Sequence, residues 1–137
     1  MTECKDETVR VIPFDIVSAL DVVNNNVELY ERLVNVFFRS YEQVCEQVAR
    51  VVEESEYDLI TDIVHMIKGT SGNLGMEKIY DIICDMERYS KSNDFDMVIE
   101  NFKSLRAEMT VIQEFFSRQE WKQYVISQQR DKEAFSE

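Results

Sequence analysis

The chain contains one histidine, His65, and two of its three glycines, Gly69 and Gly72, follow within seven residues. Taken as a helix at about 100° per residue, the stretch 58–75 separates into two faces. With His65 at the top, Asp58, Thr61, Asp62, Lys68, Gly69 and Gly72 fall within about 60° of it. Leu59, Ile60, Ile63, Ile67 and Leu74 fall on the opposite side. An imidazole, an ammonium one turn on and two bare backbone positions therefore share one polar face. Each glycine costs about 1 kcal/mol relative to alanine inside a helix. One reason to carry that cost is access, because a position without a side chain lets another molecule approach closely. The other reading is that the glycines fray the helix and His65 is an ordinary surface residue.

The remaining chemistry is thin. One histidine and three widely spaced cysteines do not assemble a zinc site of the common kinds. The Asp62/His65 pair has the carboxylate-x-x-His spacing of di-iron bundles, but such sites need two inward-pointing pairs. Ser71 lies across the helix from His65, so a hydrolytic pairing is not expected; its hydroxyl is expected to bond a backbone carbonyl in the core. The run Gly69-Thr70-Ser71-Gly72 lacks the lysine of a phosphate-binding loop and follows no strand. The chain thus has no evident means of binding ATP. An exposed imidazole can still receive a phosphoryl group from a partner. That transfer asks the acceptor for an in-line approach and charge neutralisation, and Lys68 offers the charge.

The elements that must hold this face are helical. With one proline and three glycines in 137 residues, tight turns are few and long helices are expected. Residues 1–12 have no clear period and read as a flexible lead-in. Pro13 suits a helix first turn, with Phe14, Val17, Leu20 and Val23 in a short apolar stripe. Asn24, Asn25 and Asn26 end it, and Asn25 with Glu28 resembles a capping box. Over 27–54, Leu29, Leu33, Val36, Phe37, Val44, Val48 and Val51 recur at three- and four-residue steps. Ser55 then begins the central helix, with Asp58 as its first-turn acid, and Gly75 stops it. A fourth helix carries Ile79, Ile82, Ile83 and Met86. Ser92, Asn93 and Asp94 form a turn and cap. A fifth helix carries Val98, Phe102, Leu105, Met109, Ile112 and Phe116. The expected fold is all-α: an antiparallel up-down-up-down four-helix bundle over 13–117, with the short N-terminal helix covering one end. Residues 118–137 either extend the last helix or form a loose tail.

The 27 acidic and 15 basic residues give a net charge of −12. This disfavours duplex nucleic acid and anionic membrane as partners and favours a partner with a basic patch. Hydrophobic residues at 45% support a core, but no apolar run approaches the ~20 residues of a membrane span. No secretory signal is evident at the N-terminus. Cys4, Cys45 and Cys84 form no Cys-x-x-Cys pair, the pattern of a reduced intracellular chain. Phe37, Phe38, Phe102, Phe115 and Phe116 read as packing residues.

The run His65-Met66-Ile67-Lys68-Gly69-Thr70-Ser71-Gly72-Asn73-Leu74-Gly75 closely resembles the signature of histidine-containing phosphotransfer (HPt) domains: His-x-Leu-Lys-Gly, small residues, then Gly. Downstream, Ile79, Cys84, Met86 and Glu87 are similar to the family's apolar-x4-Cys-x-x-Leu-Glu segment. Upstream, Leu29, Tyr30, Phe37 and Phe38 are similar to its long second helix. Val64, Met66 and Ile67 depart conservatively from the family's Ala, Thr and Leu.

The resemblance implies a four-helix bundle with a covering helix. It implies phosphorylation of His65, most often through Nε2, with Lys68 steadying the phosphoryl group and Gly69 giving access. Thr61, Asp62, Lys68, Gly69, Gly72 and Asn73 would meet the partner. The implied partners are receiver domains of response regulators and hybrid histidine kinases, which supply the aspartate, the Mg²⁺ and the catalysis. The chain itself would be a cytoplasmic phosphocarrier, monomeric and without a cofactor. The alternative is a non-catalytic helical binding module in which His65 is incidental.

Overall fold

The structure is a computed structural model that describes residues 13–136, with side chains through residue 130. The lead-in 1–12 and Cys4 lie outside the described residues. Six α-helices and two 3₁₀ turns make up the described chain, and no strand occurs among these residues.

Helix α1 is a single turn, Ile16–Ala19. Asp15 caps it by accepting hydrogen bonds from the Ser18 amide at 3.2 Å and the Ser18 hydroxyl at 2.8 Å. Pro13 therefore precedes the cap rather than opening the helix. The chain tightens into a 3₁₀ turn, Leu20–Val23, and reverses through Asn24 and Asn25, with φ of 52° and 63°. Asparagine tolerates that left-handed region better than most side chains. The expected capping box at Asn25 is displaced for this reason. The cap is Asn26, whose Oδ1 accepts from the Leu29 amide at 3.0 Å.

Helix α2 runs Val27–Glu53, 27 residues and about 40 Å. Its buried face is Tyr30, Val34, Phe37, Tyr41, Val44, Val48 and Val51. The second half of the expected stripe is on that face. The first half is not: Leu29, Leu33 and Val36 are 38%, 36% and 52% exposed. Two stripes of equal spacing compete here, one residue apart. The one with Tyr30 is buried because it runs in phase with Phe37, Tyr41, Val44, Val48 and Val51, and a buried tyrosine hydroxyl needs an acceptor. Tyr30 finds one in the Leu74 carbonyl, 2.6 Å away.

A 3₁₀ turn, Tyr57–Leu59, leads into α3, Ile60–Asn73. The His65 helix thus starts later than expected. Asp58 lies in the 3₁₀ turn, Asp62 is the first-turn acid, and Leu59 is exposed. Ile60, Val64, Ile67 and Ser71 are its buried face. Gly75, with φ of 79°, turns the chain into α4, Glu77–Lys91. A Cβ at Gly75 would stand 2.6 Å from the Ala19 Cβ, so α1 presses on this corner. Asp94 caps α5, Phe95–Ser117, by accepting from the Met97 amide at 3.3 Å.

Helix α2 packs on α3, α3 on α4, and α4 on α5. Their inner faces share one apolar core. The segment after Ser117 is a helix, α6, Glu120–Ser136. Its Trp121 and Val125 are buried in that core, and Lys122 pairs with Glu31 of α2 at 2.9 Å. Trp121, Phe116 and Tyr30 stack edge-on or tilted, with Phe14 against Phe116. No helix is long and apolar enough to cross a membrane among the described residues.

Candidate functional site

Burial of Val64 and Ile67 fixes the roll of α3 and turns His65 outward. Its side chain is 65% exposed. Lys68, one turn on, is only 21% exposed because it lies back across α4. The residue that organises both is Glu87 of α4. Its Oε2 is 2.8 Å from His65 Nδ1, and its Oε1 accepts from Lys68 Nζ at 2.6 Å.

The charge states follow from this bridge. Partial burial opposes ionisation of Glu87, but hydrogen bonds from Lys68 and then His65 outweigh it, leaving its carboxyl below the ordinary 4.5. Lys68 is raised above 10.5, chiefly by its hydrogen bond to Glu87. An ionised carboxylate can only accept, so His65 Nδ1 must carry the proton and donate it. In the neutral ring the lone pair is then on Nε2, the nitrogen not engaged with Glu87. A carboxylate behind an imidazole sets tautomer and ring orientation in this way.

The glycines divide. A Cβ at Gly69 would meet nothing within 4 Å, so the backbone beside His65 is open. At Gly72 the same atom would stand 3.2 Å from Tyr80 Cδ2. The bare position at Gly72 thus admits a ring from α4. Gly72 itself is exposed, with that ring beside it. The Tyr80 ring centroid lies 5.5 Å from Lys68 Nζ.

Asp62, Gly69 and Asn73 are exposed on the His65 helix. Thr61 is half-buried, and its hydroxyl donates to Ser90 Oγ at 3.2 Å. Ser71 is fully buried, and its hydroxyl donates to the Lys68 carbonyl at 2.6 Å, as expected from the sequence. The acid that reaches His65 is neither Asp58 nor Asp62. The sequence placed Glu87 in a resembling segment but gave no sign of its contact. Tyr80, Cys84 and Glu87 do fall at helical spacing, yet nothing local says that their face meets the imidazole. No group of three potential metal ligands occurs among the described residues.

The family model described as the Hpt domain matches residues 32–115, more than half of the chain and all of the site. The chain belongs to the HPt domain family. Nothing matches among curated proteins or solved structures. Membership implies phosphotransfer in phosphorelay signalling, and HPt domains are phosphocarriers that interact with receiver domains. The all-helical structure agrees with an HPt helical bundle.

Proposed function

We propose that this HPt domain accepts and donates a phosphoryl group on His65, exchanging it with receiver-domain aspartates of response regulators and hybrid histidine kinases. The observation that carries the reading is the His65–Glu87 bond, 2.8 Å from Nδ1, on a ring that is 65% exposed. It leaves Nε2 with its lone pair on the nitrogen away from Glu87.

In the proposed step, that lone pair attacks the phosphorus of an aspartyl phosphate on the receiver. The P–Nε2 bond forms, the P–O bond to the aspartate breaks, and the receiver recovers its carboxylate. No proton need leave His65. The ring becomes cationic as it bonds phosphorus, with its Nδ1–H directed at the Glu87 carboxylate, so the developing charge is balanced at 2.8 Å. Lys68 supplies a cation for a phosphoryl oxygen, and Gly69 leaves room for the receiver's active site. The receiver contributes Mg²⁺ and the catalysis. Thr61, Asp62, Gly72 and Asn73 lie around this centre as further docking positions. The fold is an up-down-up-down four-helix arrangement with α1 covering one end, acting as a cytoplasmic monomer.

The test is labelling with phosphoramidate as a direct donor, followed by a panel of receiver domains as acceptors. Wild type should take up acid-labile label and pass it to a receiver; His65→Gln should take up none. Equal labelling of His65→Gln, or none of wild type, overturns the reading. Lys68→Ala should fold normally and label about tenfold more slowly, the worth of one charge-assisted hydrogen bond.

A further inference from the structure

We propose that Tyr80 is a positioning residue for this transfer: its ring holds the Lys68 ammonium beside His65 without neutralising it. The proposal rests on the phosphocarrier reading of His65 and Lys68 given above.

A lysine ammonium sits on a flexible four-carbon stem and does not stay in one place unaided. Two groups hold Lys68. Glu87 does so at 2.6 Å as an anion, which competes with any arriving phosphoryl group for the same charge. Tyr80 does so through a ring whose centroid is 5.5 Å from Nζ. A π face attracts a cation while remaining uncharged, so it need not be displaced when the phosphoryl oxygens arrive.

Gly72 makes the placement possible. A Cβ there would stand 3.2 Å from Tyr80 Cδ2 and 3.5 Å from Cε2, tight enough to push the ring. The glycine one turn beyond Lys68 and the tyrosine on the next helix therefore work as one seat. The contact uses the ring face and not the hydroxyl, so Tyr80→Phe should keep it.

The experiment measures His65 labelling by phosphoramidate, a small donor that removes partner docking from the comparison. Nε2 attacks phosphorus, the P–N bond breaks, and ammonia leaves with its electron pair. Tyr80→Phe should match wild type. Tyr80→Leu should be about two- to five-fold slower, the usual worth of an exposed cation–π contact. Tyr80→pentafluorophenylalanine keeps the shape but drains the ring face, and should be slowed like Tyr80→Leu; it serves if the leucine variant does not fold. Gly72→Ala should be slower while melting no lower than wild type. In a Lys68→Ala background, none of these changes should slow labelling further.

Equal slowing in the Lys68→Ala background overturns the proposal, as does a wild-type rate for the fluorinated ring. A wild-type rate for Lys68→Ala does so too, since Tyr80 would have nothing to act through. Each of these leaves His65 labelled and the phosphocarrier reading standing, whereas an unlabelled wild type removes both.

Discussion

Tyr30 and Leu74 are 44 residues apart, yet the Tyr30 hydroxyl donates to the Leu74 carbonyl at 2.6 Å in a fully buried bond. That carbonyl lies just past the end of the His65 helix, among the acceptors a helix terminus leaves unpaired. The bond therefore fastens the start of α2 to the end of α3, and burial raises the Tyr30 phenol well above its ordinary value. Tyr30→Phe keeps the ring packing against Phe116 and Trp121 but leaves a buried acceptor without its donor. It should lose about 1–3 kcal/mol of stability in urea unfolding. An unchanged midpoint would mean that the carbonyl finds another partner.

The glycines make a graded series. Gly75→Ala meets a φ of 79° and an Ala19 Cβ at 2.6 Å, in a methyl that cannot turn away. It should cost more than about 2 kcal/mol, from left-handed backbone strain plus the clash. Gly69→Ala meets open space inside a helix and should stabilise by about 1 kcal/mol. Gly69→Leu should also fold, but should fail to exchange phosphate with a receiver domain. Thermal melts order the three variants, and full receiver exchange by Gly69→Leu would count against the access argument.

Local pattern carried the fold further than the site. Of the stripe Val98, Phe102, Leu105, Met109, Ile112 and Phe116, all are buried as their spacing says except Phe102, which is only partly buried. In α2, Leu29 and Leu33 competed with Tyr30 and Val34; only the latter run in phase with Phe37, Tyr41, Val44, Val48 and Val51, in unbroken steps of four and three. His65 was legible because the only histidine stood beside two costly glycines. Glu87 was not, since its role arises from the packing of α4 against α3. Gly72 is exposed and also has the Tyr80 ring beside it, which its spacing on α3 did not announce; a bare backbone position shows that something comes close but not from which side.

The Glu87 bridge should give the fold a defined pH window. Unfolded, Glu87 binds its proton near 4.5; folded, it does so lower. The bridge's stabilisation is thus present above 4.5 and is lost as pH falls through the lowered folded value. Lys68 behaves oppositely. Its folded value is raised above 10.5, so its share is present below that pH and is lost as pH rises through the raised value. The stability difference between wild type and Glu87→Gln should therefore shrink at both ends, as pH falls through the lowered Glu87 value and as it rises through the raised Lys68 value. Urea unfolding of both proteins at a series of pH values measures it. A difference that grew as pH fell through the lowered Glu87 value would have the wrong sign for this bridge.

Glu87→Gln also tests the tautomer. The carboxylate offers one oxygen to His65 Nδ1 at 2.8 Å and the other to Lys68 at 2.6 Å. An amide puts an oxygen at one of these two positions and an NH₂ at the other, so only one of them still accepts. If its oxygen stays with Lys68, its NH₂ faces Nδ1, and the favoured ring tautomer moves its proton to Nε2. That would occupy the lone pair needed for attack on phosphorus. Imidazole ¹⁵N shifts should show a mainly Nδ1–H ring in the neutral wild-type protein and a shift towards Nε2–H in Glu87→Gln. Phosphoramidate labelling should slow in step with the tautomer change. A tautomer shift with no change in labelling would place the control of His65 reactivity elsewhere than in Glu87.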